Sequence, residues 1–166
     1  MVSKKVCMIG SFAVGKSSLV ERFVHSIFSD SYLSTMGVKI SKKICRVGEQ
    51  DVNLVLWDMQ GKDEYSEINA SYLRGAMGVF LVADGMRKDT LNTALLMRLL
   101  VVDVAGDVPL YLLLNKADLR SDWQVTEDDV ARIELQGVHV LRTSAKTGEG
   151  VEDAFGRIAD DMMRRH

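Results

Sequence analysis

Apolar residues fall in two rhythms along the chain: short continuous runs, and stripes spaced three or four residues apart. The runs at 4–10, 79–83, 110–114 and 138–141 read as buried strands, because a strand covered on both faces has no polar side to show. Residues 38–47 and 50–58 alternate only in part, as expected of a pair with one edge member, and Gly48-Glu49 joins them as a hairpin turn. Helical spacing covers 16–26, through Leu19, Val20, Phe23 and Val24, and 65–74, where Tyr65, Ile68 and Tyr72 fall roughly along one side. Leu91, Leu95, Leu99 and Val102 mark the inner face of a long helix, and Pro109 ends the turn after it. Thr126 is placed to cap a helix over 127–135. In the last helix Val151, Phe155, Ile158 and Met162 recur at intervals of four, three and four. Residues 27–37 and 59–65 have no repeat and read as loops.

Short apolar strands alternating with helices predict an α/β fold, a mostly parallel six-stranded sheet covered by helices on both faces. Right-handed crossovers make it doubly wound. Binding sites then gather on the loops beyond the carboxyl ends of the strands.

Composition narrows this picture without changing it. A chain of 166 residues, 47% hydrophobic and 27% charged with one proline, is expected to form one domain over 1–166 rather than a disordered or fibrous chain. A formal net charge of −2 gives no reason to expect nucleic acid as a partner. Cys7 and Cys45 lack metal-ligand spacing and read as reduced core thiols of an intracellular, cytoplasmic protein. No apolar run has membrane length, so direct membrane insertion is not expected. Membrane association is left to a partner or to a tail beyond this sequence.

The chemistry concentrates after the first strand. Gly10-Ser11-Phe12-Ala13-Val14-Gly15-Lys16-Ser17-Ser18 lies between the apolar run Val6 to Ile9 and a helical pattern, the context of a Walker A phosphate loop. Gly10 and Gly15 let the loop turn so that backbone N–H groups face a phosphate. The following helix adds its unpaired first-turn donors. Lys16 can reach the β- and γ-phosphates, and the Ser17 hydroxyl can join a Mg2+ shell. Ala13, Val14, Gly15, Lys16, Ser17 and Ser18 are therefore candidate nucleotide-binding residues.

Three more clusters end strands. Asp58 closes the strand carrying Trp57 and is placed to hold Mg2+ through a water, while Gly61 can offer its N–H to the γ-phosphate. Asn115-Lys116-Ala117-Asp118 follows the fifth strand. Guanine presents N1–H and its exocyclic amine side by side, and the Asp118 carboxylate can accept both; adenine has no such donor pair. Asn115 can tie this loop to the phosphate loop, and the Lys116 stem can lie over the base. In Thr143-Ser144-Ala145-Lys146, the Ala145 N–H can meet guanine O6.

These motifs, in this order, resemble those of the Ras-superfamily small GTPases and, among them, the Rab branch. The phosphate loop, Asn115 to Asp118 and Ser144-Ala145-Lys146 match the general family. Tyr32-Leu33-Ser34-Thr35-Met36-Gly37-Val38 resembles its first switch, and Trp57 with Tyr72-Leu73-Arg74-Gly75-Ala76 resembles Rab segments around the second. The resemblance implies GDP or GTP with Mg2+ as the bound species. It implies that Thr35 binds Mg2+ and senses the γ-phosphate, that Phe28 packs across the guanine edge, and that Tyr32 closes over the phosphates. It also implies effector proteins docking on 32–45 and 57–74, an exchange factor and a GTPase-activating protein. In Rab proteins an aromatic triad reads the switch state. Here Trp57 and Tyr72 are kept, either as packing residues or as effector contacts, but Ile40 stands where a Phe is expected.

Two departures fall where turnover is decided. The family pattern Asp-Thr-Ala-Gly-Gln-Glu is here Asp58-Met59-Gln60-Gly61-Lys62-Asp63, so Lys62 replaces the glutamine that orients the attacking water, and Gln60 precedes Gly61. An ammonium donates but cannot accept. Phe12 replaces a small residue and would crowd the space over the γ-phosphate. Lys16, Thr35, Gln60, Gly61 and Lys62 form the candidate catalytic set, with slow hydrolysis expected. The alternatives are a non-hydrolysing GTP-dependent scaffold and the GTPase module of a larger regulatory protein. A small-molecule kinase would need an acceptor region and a lid that the sequence does not show.

Overall fold

The computed structural model describes residues 1–26, 28, 37–59 and 70–165. The strands are β1 (Val2–Gly10), β2 (Val38–Val47), β3 (Gln50–Met59), β4 (Gly78–Asp84), β5 (Leu110–Asn115) and β6 (His139–Arg142). They form one sheet in the order β2-β3-β1-β4-β5-β6, antiparallel only between β2 and β3. The helices are α1 (Lys16–His25), α2 (Ala70–Leu73), α3 (Lys88–Ala105), α4 (Glu127–Leu135) and α5 (Val151–Arg164).

Because side chains alternate along a strand, one run of apolar residues feeds two cores. Val6 and Met8 of β1, with Phe80 and Val82 of β4, pack under α1 and α5. Cys7 and Ile9, with Val79, Leu81 and Ala83, pack against α2, α3 and α4. On the first face the ring of Phe23 stacks on Phe155 with centroids 4.0 Å apart, and Phe80 meets Phe155 edge-on at 4.9 Å. That aromatic group fixes α1 against the sheet and so sets where Lys16, its first residue, stands.

Several expectations shift at their margins. β1 begins at Val2, because Val2 and Ser3 pair with Val52 and Asn53 of β3. The last strand runs His139–Arg142, one residue later than the apolar run. Of the helix expected over 65–74, Ala70–Leu73 is helical, while Tyr65 and Ile68 lie outside the described residues.

The inner face of α3 needs correction. Leu91 is buried, but Leu99 and Val102 are 66% and 54% exposed. Thr90, Ala94, Met97 and Val101 turn inward beside Leu91. A step of four residues rotates about 40° past a full turn, so repeated fours carry a leucine stripe off the core face. Thr90 is inward because its hydroxyl donates to the carbonyl oxygens of Arg87 (2.6 Å) and Asp84 (3.2 Å). Thr126 does cap α4, in a reciprocal box with Asp129. Among the described residues no helix is long and apolar enough to cross a membrane, and both cysteines are free thiols.

Candidate functional site

β1 has β3 on one side and β4 on the other, so the winding of the sheet reverses there and a crevice opens beyond the strand ends. The loop after β1 enters that crevice. Gly10 is required by close approach: a Cβ there would lie 2.3 Å from the carbonyl oxygen of Val82. Val14 is fully buried and anchors the loop in the core beneath α1. Ala13 and Gly15 adopt φ of 62° and 106°, left-handed steps of the kind that build backbone anion nests. The buried Lys16 ammonium donates to the carbonyls of Gly10 (2.9 Å) and Ser11 (3.0 Å). It is thus held back over its own loop. Ser18 is half-buried in the first turn of α1.

The Ser17 hydroxyl donates to Asp58 Oδ2. Asp58 is itself buried, and its Oδ1 has no hydrogen-bond partner among the described residues. Burial pushes the Asp58 carboxyl above its ordinary range, opposed by the Ser17 hydrogen bond and the Lys16 charge. A buried, unsatisfied carboxylate oxygen costs free energy unless something binds it. Hard oxygen ligands, a hydroxyl beside a carboxylate, suit Mg2+, so Ser17 and Asp58 fit that ion.

β5 delivers the second loop. Asn115 Nδ2 donates to the carbonyl of Val14 at 3.0 Å, and its Oδ1 accepts from Thr143 at 3.2 Å. One buried amide therefore joins the phosphate loop to the loops after β5 and β6. The Ala117 N–H donates to the Thr143 carbonyl (2.9 Å), and buried Ser144 donates to Asp118 Oδ1 (2.8 Å). That bond orients the exposed Asp118 carboxylate and engages one of its oxygens. Lys116 sits at φ 71° and leads into a 3-10 turn over Ala117–Asp122. Ala145 is buried, while Lys146 and Phe28 are exposed, Phe28 at 37%.

Four residues that the motifs did not single out for this site support it. Arg22, on α1, donates Nε to the Ala145 carbonyl at 2.8 Å and a terminal nitrogen to that of Lys146, so it holds the loop carrying the candidate guanine O6 contact. Asp84 ends β4 and is buried against Lys116 and Arg87. Trp123 stacks where a Gly85 side chain would stand and donates to the Lys116 carbonyl at 2.9 Å. A carboxylate closing a strand, the signal that marked Asp58, is also present at Asp84. Arg22, Arg87 and Trp123 carry no such signal.

Tyr32, Thr35, Gln60, Gly61 and Lys62 lie outside the described residues. Around the second switch, Tyr72 is only 4% exposed, and its hydroxyl donates to the carbonyls of Met8 and Trp57. Of its two readings, packing is the one this geometry gives. Trp57 is half-buried, edge-on to Tyr72, with the Lys5 ammonium 3.7 Å from its ring centroid.

A phosphate loop at the reversal point of a doubly wound sheet, bound by an asparagine to a second loop ending in aspartate, defines a P-loop nucleotide-binding protein. The sequence pattern of the Ras family matches residues 5–164. Ras-related protein Rab-4 of Dictyostelium discoideum is 35% identical over 163 residues, covering 97% of this chain and 80% of that protein. Human Ras-related protein Rab-8B is 31% identical over 163 residues, 97% and 79% of the two chains. Mouse Ras-related protein Rab-4A is 35% identical over 164 residues, 97% and 75%. The chain belongs to the Ras family, as a Rab-like small GTPase and GTP-binding switch.

Proposed function

We propose that residues 1–166 form one guanine-nucleotide-binding domain, a Mg2+-dependent GDP/GTP switch that hydrolyses GTP slowly without help. The observation that carries this reading is the Asn115 amide, which ties the phosphate loop at Val14 to the loop bearing Asp118. Phosphate and base recognition then sit at a fixed separation. In this reading the amides of Ala13, Val14 and Gly15 and the first turn at Ser17 and Ser18 bind the phosphates, and Lys16 swings from its own loop carbonyls to the β- and γ-oxygens. Asp118 accepts both guanine donors, Ala145 donates to O6, and the exposed Lys146 and Phe28 flank the base with the half-buried Lys116. Ser17, Thr35 and, through a water, Asp58 would hold Mg2+, which would supply neutralisation of the charge developing on the phosphate oxygens.

Hydrolysis is attack of a water on the γ-phosphorus in line with the bridging oxygen to the β-phosphate. A bond forms to the water oxygen, the bridging bond breaks, and the water's proton passes to the released phosphate. Lys16 and the Gly61 N–H stabilise the oxygens as charge shifts. Lys62, as an ammonium, cannot accept from that water, Gln60 precedes Gly61 in the sequence instead of following it, and Phe12 is 38% exposed. Glutamine positioning together with an arginine supplied by an activator is worth several orders of magnitude, and both are compromised here. The free thiols agree with an intracellular, cytoplasmic location.

Effector docking is assigned to 32–45 and 57–74, where Ile40 and Ile44 are exposed along edge strand β2 and Ile40 pairs with Trp57. The experiment is single-turnover hydrolysis of preloaded GTP. The parent is expected to be slow, and Lys62→Gln at least about tenfold faster. Fast parent turnover, or a Lys62→Gln variant no faster than the parent, removes the hydrolytic reading. Retained GTP binding with no turnover in either form assigns the chain to the scaffold alternative.

A further inference from the structure

The buried Asp84 carboxylate joins Lys116, in the loop bearing Asp118, to Arg87, which reaches the phosphate loop. Its Oδ2 lies 2.8 Å from Lys116 Nζ and 3.1 Å from Arg87 Nε, while Oδ1 accepts the Met86 N–H at 2.9 Å. The same Arg87 guanidinium donates a second bond, 2.9 Å long, to the backbone carbonyl of Phe12 in the phosphate loop. The chain of contacts runs Phe12 backbone, Arg87, Asp84, Lys116.

Its surroundings are held by backbone hydrogen bonds and close packing. The Gly85 N–H donates to the Asn115 carbonyl at 3.1 Å, and the Gly85 carbonyl accepts from Gln124 and Val125. Trp123 covers Gly85 closely enough that a Cβ there would meet its ring at 2.1 Å. The carboxylate is thus fixed by backbone and packing before either cation reaches it.

From this geometry we infer that Asp84 and Arg87 are positioning residues forming a clamp across the nucleotide site, and that the clamp governs how slowly a guanine nucleotide is released. Release requires the phosphate loop and the base loop to part. Arg87 resists that motion because a planar guanidinium spans two acceptors at once, which an ammonium does not do from one position. The inference rests on the nucleotide-binding reading above and adds residues that touch the loops rather than the ligand. Arg87 is two-fifths exposed, so solvent weakens its pair with Asp84. The bond to Phe12 and the bracing of Lys116 are expected to carry the larger share.

The test is dissociation of a fluorescent GDP from the whole chain in the presence of Mg2+. Arg87→Ala is expected to speed release about tenfold, the worth of one charge-assisted hydrogen bond. Arg87→Lys should recover part of that loss through Asp84 without restoring the Phe12 bond. Combining Arg87→Ala with Lys116→Ala should give less than the product of the two single effects, because both act through one carboxylate. Release within twofold of the parent for Arg87→Ala, or strictly multiplicative effects in the double variant, overturns the clamp. The same follows if Arg87→Ala lowers the melting temperature without changing release. A parent that binds no GDP fails the functional reading and the clamp together, a result distinct from a parent that binds while the variant is unaltered.

Discussion

Gly15→Ala is expected to weaken GDP binding by about one and a half to three and a half orders of magnitude while leaving the fold in place. Gly15 stands at φ 106°, where a side chain is strained, and an added Cβ would lie 2.2 Å from Asn115 Nδ2. That nitrogen is the donor to Val14 which joins the two halves of the site. The substitution therefore combines backbone strain of about 1–2 kcal/mol with loss of a buried hydrogen bond costing about 1–3 kcal/mol. At about 1.4 kcal/mol per tenfold, their sum of about 2–5 kcal/mol corresponds to about one and a half to three and a half orders of magnitude. Gly48 supplies the control. It also has positive φ, 60°, but nothing lies within 4 Å of its would-be Cβ. Gly48→Ala should cost a similar strain in thermal stability and leave GDP affinity unchanged. Titration of both variants with a fluorescent GDP checks the contrast.

Asp118→Asn carries the second large effect, and it is selective. The proposed role of Asp118 is to accept two donors from guanine, and Ser144 already orients its carboxylate. An amide keeps one acceptor oxygen but turns a donor toward the second guanine donor. Losing one charge-assisted bond and leaving that donor opposed costs about 3–5 kcal/mol, so GDP affinity should fall by about three orders of magnitude. ATP makes no use of Asp118 and should bind no more weakly than to the parent. Equal losses for both nucleotides would mean that the variant damages the loop rather than base recognition. The Asn115 bonds to Val14 and Thr143 do not involve the Asp118 side chain, so the substitution is expected to leave them in place and the result to be selective.

Much of this architecture was written in the hydrophobic pattern. Runs such as Val79 to Ala83 and Leu110 to Leu114 have one structural solution inside a covered parallel sheet. The stripe of Val151, Phe155, Ile158 and Met162 buries as its spacing requires. The pattern misleads at α3 because its apolar residues outnumber the positions facing the core. Thr90 takes an inward place that its polarity hides, and Ala94 a place that its size hides. The site was legible where chemistry dictates residue type: a lysine for phosphate, a carboxylate for guanine. The supporting layer was not. Arg22, Arg87 and Trp123 act on loop carbonyls from elsewhere in the chain, and any of several residue types can do that from many positions. Such contacts are set by the packing of elements, which only the folded chain reveals.

The account depends on one pocket that recognises guanine and phosphate together, and competition between nucleotides tests it most directly. Purified protein loaded with a fluorescent GDP in Mg2+ is challenged with rising concentrations of unlabelled GDP, GTP or ATP. GDP and GTP should displace the probe at concentrations at least about a hundredfold below ATP, the margin expected from two bonds to a charged acceptor. Displacement by ATP at concentrations comparable with GDP would contradict the assignment of Asp118 and, with it, the reading of the whole site.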